Sequence, residues 1–100
     1  MLTIETITEA VVPIAKTFDV LKVGLFGSFA RGEATENSDI DLIISYDKDN
    51  LKMRGWYFFG FGLAVEEALE RKVDVLTYKG IEASILKQYI MPDEVTIYER

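Results

Sequence analysis

The chain contains no cysteine and no histidine among its 100 residues. The lack of cysteine excludes a disulfide-stapled scaffold, a Cys-based zinc site and a thiol nucleophile. The lack of histidine excludes serine–histidine catalysis and imidazole acid–base chemistry, and it removes the commonest ligand of transition metals. Any metal ion must therefore be held by oxygen ligands, which favours magnesium, calcium or manganese.

Basic residues are scarce: 11 lysines and arginines against 17 acidic residues give a net charge of −6. This balance argues against nucleic acid as a direct partner, because binding to a phosphate backbone needs a basic surface. Long apolar runs are lacking too, and the longest, residues 56–65, is too short to cross a bilayer. The first residues do not have the pattern of a signal peptide. We therefore expect a cytoplasmic protein without membrane association.

Composition and patterning predict one globular domain, residues 1–100, because 49% of the residues are hydrophobic and 28% are charged. Apolar residues at helical spacing predict a helix from Ile4 to Phe18, capped by Thr3 and disturbed by Pro13. Further helices are predicted at residues 53–70 and 81–90, and strands at 21–26, 39–45, 72–77 and 95–98. The alternation indicates an α/β (α+β) fold, a mixed sheet of about four strands with helices packed on it.

Asp39 and Asp41 form the most informative pair in the sequence. Two residues apart on a strand, their carboxylates project from one face, while Ile40 and Leu42 point into the core. Aspartate is depleted in strands, and like charges on one face repel each other. A divalent cation between them would turn this repulsion into a binding site. The alternative for a lone Asp-x-Asp is a solvated edge strand with polar residues outward.

Gly27 and Ser28 directly follow the apolar strand that ends at Phe26. Glycine permits a tight turn and a close backbone approach, and serine offers a hydroxyl and an amide to a phosphate. The N–H groups of a helical turn beginning here would face the same anion. Alone, Gly-Ser is merely a turn. Together with Asp39 and Asp41 it predicts a phosphate-binding bend at the end of one strand and a metal site on the next.

Three further polar residues are candidates for the same site. Asp74 lies within an apolar strand, where an unpaired charge is costly, and we interpret it as a third carboxylate that ligates a second metal ion or accepts a proton. The alternative is an ion pair with Arg71 or Lys72. Arg31 either neutralises phosphate charge or bonds loop carbonyls. Ser38 either contacts a nucleotide or closes a turn.

Aromatic residues are concentrated in the segment WYFFGFG, residues 56–62. We interpret these side chains mainly as core residues that flank the nucleotide site. Their density is high for so small a core, so an interface with a partner is the alternative.

The stretch LFGSFARGEATENSDIDLII, residues 25–44, resembles the minimal nucleotidyltransferase family, which belongs to the polymerase-beta-type nucleotidyltransferase superfamily. The stretch RKVDVL, residues 71–76, supplies the third carboxylate of that pattern. In length the resemblance covers nearly the whole chain. Phe29 departs from it, since family members often carry a basic residue there, and any phosphate contact from that position is lost.

The resemblance implies magnesium-dependent transfer of AMP from ATP. It implies that Gly27 and Ser28 hold phosphate and that Asp39, Asp41 and Asp74 bind Mg²⁺, two ions in all. Members commonly act as antitoxins encoded beside a HEPN-type ribonuclease toxin, which they silence by transferring AMP to a toxin tyrosine.

Larger relatives append a lobe that holds the acceptor, so the acceptor here is expected to be a protein that docks. Two alternatives stay open. One is a non-catalytic antitoxin that neutralises its partner sterically. The other is a catalytic subunit whose small-molecule acceptor is held by a separate helical subunit.

Overall fold

The structure is a computed structural model that describes residues 2–100. Its α-helices are α1 (Ile4–Thr17), α2 (Gly27–Arg31), α3 (Phe58–Leu69), α4 (Tyr78–Ile81) and α5 (Lys87–Ile90). Its strands are β1 (Lys22–Phe26), β2 (Ile40–Ser45), β3 (Val73–Thr77) and β4 (Val95–Glu99). Short 3₁₀ turns lie at Leu51–Met53, Gly55–Tyr57 and Met91–Asp93.

The strands form one mixed sheet in the order β3-β2-β1-β4. Strand β1 is antiparallel to both β2 and β4, whereas β2 and β3 are parallel because α3 carries the chain back between them. The predicted sheet of four strands with packed helices is confirmed. Strand β3 lies at one edge of the sheet, and this position matters for the site.

The two faces of the sheet are covered unequally. Helices α1 and α3 pack on one face, where the main core joins them to alternate residues of the strands, among them Leu25, Leu42 and Ile44. The opposite face carries a smaller apolar cluster of Ile43, Ile81 and Ile90 below α4 and α5. Because side chains alternate along a strand, Asp41 shares this second face with Ile43.

Helix α1 agrees closely with its prediction. Thr3 and Thr6 form a capping box at its start, and the buried residues Ile7, Val11 and Ala15 follow helical spacing. Pro13 lies inside the helix, which nevertheless continues unbroken to Thr17. Because Pro13 has no N–H, the helix lacks one backbone hydrogen bond at this point.

The predicted helix at residues 53–70 begins later than expected. Its first part consists of two 3₁₀ turns, the second of which begins at Gly55 with a φ of +59°, and α3 starts only at Phe58. Its end is close to the prediction, since Glu70 has a left-handed φ of +51° and terminates the helix.

The single helix predicted at residues 81–90 is wrong. The segment is divided between α4 and α5 by a turn in which the Ser84 N–H donates to the Ile81 carbonyl at 2.9 Å. The Ser84 hydroxyl then accepts a hydrogen bond from the Leu86 N–H at 3.1 Å. A serine that bonds nearby backbone competes with helical hydrogen bonding, which explains the interruption. No helix within residues 2–100 is long and apolar enough to span a membrane.

Candidate active site

Asp41 and Asp74 lie side by side on neighbouring parallel strands. They are partners in the β2–β3 register, and partners in a sheet project from the same face. Asp41 is half-buried, while Asp74 is exposed because β3 is an edge strand. The expectation of a buried charge at Asp74 is therefore wrong, although the predicted convergence of the two carboxylates is what the structure shows.

Asp39 immediately precedes β2, and its carboxylate faces a lysine. The Lys72 Nζ lies 3.8 Å from the Asp39 Oδ2. Neither cation proposed as a partner of Asp74 forms an ion pair with it within residues 2–100. Arg71 instead donates from Nη1 to the Ser38 carbonyl at 2.9 Å. No local sequence pattern indicates these two contacts, which hold the loop before β2 against the start of β3.

The pKa of Asp41 reports how crowded the site is with negative charge. Partial burial raises the pKa of this carboxyl, the carboxylates of Asp74 and Asp39 raise it further, and the charge of Arg31 lowers it. All three carboxylates are thus near enough to interact electrostatically.

The carboxylates nevertheless do not form a complete metal-binding site by themselves. Within residues 2–100, no three acidic side chains are already spaced to hold one ion. Mg²⁺ commonly binds through one or two carboxylates, substrate phosphates and water, so a complete protein cage is not required. The pair Asp41 and Asp74, with Asp39 alongside, fits such a cation in charge and in donor chemistry.

The glycine bend lies directly against this carboxylate group. Phe26, the last residue of β1, is the register partner of Asp41. Gly27 follows with a φ of +73°, and a Cβ added to it would overlap the Asp41 Oδ2 and lie 3.1 Å from its Cγ. Only glycine combines this conformation with this close approach. The predicted proximity of the bend and the carboxylates is thus present, while their catalytic roles remain predictions.

The other candidates lie on the rim of the site. The Arg31 Nε donates to the Glu33 Oε1 at 2.8 Å, and the Arg31 Nη1 lies 3.9 Å from the Asp93 Oδ2. The positive charge of Arg31 lowers the pKa of Asp41, so Arg31 contributes to the electrostatics of the site. The Ser38 Oγ accepts a hydrogen bond from the Thr35 N–H at 2.8 Å, so Ser38 closes a turn. Nucleotide contacts by Arg31 and Ser38 remain predictions.

Phe29 and the aromatic segment divide between core and surface. Phe29 is 5% exposed and lies under the Arg71 guanidinium, so its side chain points into the core. The exposed fractions of Trp56, Tyr57 and Phe59 are 87%, 71% and 58%, so the core interpretation is wrong for these three. The segment is not regular helix until residue 58, and helical spacing then buries Phe61 instead.

The raised pKa of Asp41 predicts that the contribution of this carboxyl to the stability of the metal-free chain falls as the pH rises. Its carboxyl binds a proton more tightly in the folded chain than in the unfolded chain, whose pKa is near 3.8. The contribution of Asp41 to the free energy of unfolding therefore falls as the pH rises from that value through the raised pKa. We expect Asp41→Asn to raise the Tm by a few degrees at neutral pH and less at acid pH.

This prediction is checked by thermal unfolding in EDTA across that pH range, with Glu36→Gln as the exposed control. A lower Tm for Asp41→Asn at neutral pH would contradict it.

Fold and site together define a nucleotidyltransferase. The nucleotidyltransferase domain family matches the chain over residues 5–95, and the chain belongs to this family. The chain is 37% identical over 84 residues to a candidate protein adenylyltransferase of Methanocaldococcus jannaschii, a match that covers 80% of this chain and 79% of that protein.

Two solved structures share the fold. A candidate minimal nucleotidyltransferase superposes with a TM-score of 0.74 and 29% identity, covering 94% of this chain and 95% of that one. A complex of a tri-AMPylated HEPN toxin with an MNT antitoxin, from Shewanella oneidensis, contains a chain that superposes with a TM-score of 0.68. That match covers 98% of this chain and 74% of the other at 16% identity, which shows the fold alone. The resemblance to minimal nucleotidyltransferases is confirmed.

Proposed function

We propose that this nucleotidyltransferase moves AMP from magnesium–ATP to a tyrosine hydroxyl of a HEPN-type toxin and thereby acts as its antitoxin. The observation that carries the proposal is the position of Gly27 against Asp41, which is itself paired with Asp74. A phosphate-binding bend and a divalent-cation site are thus adjacent. The protein acceptor is supported by the relative named for protein adenylylation and by the AMPylated toxin in the similar complex.

Donor binding follows from the chemistry of the bend. The amides of Gly27 and Ser28 and the Ser28 hydroxyl bind phosphate oxygens, and Arg31 offsets part of their charge. Asp39, Asp41 and Asp74 would hold the two Mg²⁺ ions. These ions, when bound, neutralise charge on the phosphates of the donor.

The transfer itself is an in-line displacement at the α-phosphorus of ATP. The acceptor oxygen forms a bond to this phosphorus while the bond from the phosphorus to the oxygen bridging to the β-phosphate breaks. Pyrophosphate leaves, and the proton of the acceptor hydroxyl passes to the carboxylate of Asp74. The exposure of Asp74 at the sheet edge allows an acceptor on another molecule to reach it.

The test is incubation of the chain with ATP, Mg²⁺ and the protein encoded by the neighbouring gene, which the proposal expects to be HEPN-type. We expect an AMP-sized increase in the intact mass of the partner, which peptide fragmentation assigns to a tyrosine, and no increase in EDTA. The absence of any increase with a folded partner would overturn the proposed transfer.

A second candidate function is steric neutralisation without catalysis. The exposed side chains of Trp56, Tyr57 and Phe59 favour it, because large aromatic side chains on a surface mark binding sites. Neutralisation that persists after the carboxylates are removed would identify this function. Activity on small hydroxyl compounds would instead identify a catalytic subunit for a small-molecule acceptor.

A further inference from the structure

A groove runs along the open edge of β3, the strand that carries Asp74, which is the proton acceptor of the proposed transfer. It has a volume of about 370 Å³ and lies between α3 and β3, and we call it the β3 groove. Phe59, Leu63 and Glu66 line it from α3, and Asp74 and Val75 line it from β3. The Asp74 carboxylate projects from the sheet face opposite α3, so a polypeptide that lies along this edge can contact the groove and also reach Asp74.

The α3 wall of the groove is apolar and exposed. Phe59 and Leu63 lie one helical turn apart, and their exposed fractions are 58% and 63%. Trp56 extends the same surface, since its ring centroid lies 5.9 Å from that of Phe59. Contiguous apolar surface of this kind marks a contact site for another molecule.

The β3 wall offers backbone groups to a partner. The Ile40 N–H donates to the Lys72 carbonyl at 2.9 Å, so the peptide groups of alternate residues beginning with Lys72 face β2. Those of Val73 and Val75 face the open edge. The Val73 N–H is already bonded to the Glu66 Oε1 at 3.1 Å, whereas Val75 lies in the groove. Edge-strand backbone next to apolar side chains suits a polypeptide better than a small molecule.

The charge of the groove indicates the charge of its occupant. Glu66 and Asp74 are the charged residues that line it, and both are acidic. Glu67 and Glu70 add negative charge to the exposed surface of the same helical region. A basic partner segment is therefore complementary, while an acidic one is repelled.

We propose that the β3 groove is the docking site of the acceptor protein, occupied by a hydroxyl-bearing segment with apolar residues and flanking basic residues. This proposal rests on the proposed function, because it places the acceptor hydroxyl beside Asp74. The apolar residues pack on Phe59 and Leu63, and the basic residues lie near Glu66.

The test compares two lysine substitutions at exposed aliphatic positions. Leu63→Lys alters the groove, and Ile85→Lys is its matched control, because Ile85 is 71% exposed and lies outside the groove. Magnesium–ATP binding and the Tm are measured first, and both variants should match the wild type. AMP transfer to the HEPN-type protein and complex formation with it are then measured. We expect Leu63→Lys to weaken both by about tenfold or more and Ile85→Lys to leave both unchanged.

Each other outcome has a definite meaning. If the wild type transfers AMP and Leu63→Lys does so equally well, the proposed docking site is overturned while the transfer reaction stands. The same conclusion follows if both variants impair transfer equally. If the wild type forms the complex but transfers no AMP, and only Leu63→Lys weakens the complex, the docking site is supported and the proposed transfer is overturned. If a folded partner shows neither AMP transfer nor complex formation, both the docking site and the transfer reaction are overturned. If Leu63→Lys lowers the Tm, the comparison is made with Phe59→Ala instead. Its control is then Tyr89→Ala, because Tyr89 is 66% exposed.

Discussion

Replacing Asp39 and Asp41 together by asparagine is expected to reduce AMP transfer by about 10³-fold or more. The substitution preserves side-chain volume but removes the negative charge that attracts the metal ions and the nucleotide they carry. Asp41 contributes most to this effect, because it lies between Asp74 and the Gly27 bend. The measurement is the initial rate of AMP incorporation into the toxin at saturating ATP, accompanied by the Tm of the variant.

The chain supplies a control with the same motif. Asp47 and Asp49 form a second Asp-x-Asp on the exposed loop after β2, where the Asp49 N–H donates to the Asp47 Oδ1 at 2.9 Å. Asp47→Asn with Asp49→Asn removes equal charge and should leave transfer unchanged. If both double variants lose activity equally, total charge is responsible and the assignment of Asp39 and Asp41 fails.

The same double variant separates catalysis from steric neutralisation. In cells that express the toxin, the enzymatic function predicts that Asp39→Asn with Asp41→Asn no longer protects against it. Protection by this variant with unmodified toxin would favour the steric function, in which the exposed aromatic side chains make the binding contacts. Complex formation should persist in either case, because the β3 groove is unchanged.

The proximity of Asp41 and Asp74 was accessible from the sequence because each lies within a strongly patterned strand. The alternation of Ile40, Leu42 and Ile44 fixes the face that Asp41 occupies. Parallel pairing of β2 with β3, expected for strands joined by a helix, then brings Asp74 close.

Contacts between distant loops were not accessible, because no local pattern encodes them. The ion pair of Lys72 with Asp39 depends on where β3 begins relative to the loop before β2. The exposure of Trp56 and Phe59 depends on the irregular backbone at Gly55, which shifts the start of helical spacing. The turn at Ser84 likewise depends on one side-chain hydrogen bond within an otherwise helical pattern.

Gly27→Ala is expected to lower AMP transfer by about 10²-fold, because small displacements of reacting groups carry costs of that size. The added methyl would overlap the Asp41 carboxylate, so either the bend or the carboxylate must move. The left-handed backbone adds a loss of stability of ~1–2 kcal/mol. Steady-state kinetics should show the loss mainly in kcat, since the metal-bound phosphates and the carboxylate would no longer be aligned.

Gly32→Ala separates backbone strain from this overlap. Gly32 has nearly the same conformation, with a φ of +75°, but a Cβ added there meets no atom within 4 Å. Both alanine variants should lose stability through backbone strain, measured as the free energy of unfolding in urea, and Gly27→Ala should lose at least as much as Gly32→Ala because of its overlap with Asp41. Only Gly27→Ala should lose transfer. Equal losses of transfer would attribute the effect to strain. Full activity of Gly27→Ala would show that the bend does not need to approach Asp41, and the adjacent phosphate and metal sites would then have to be abandoned.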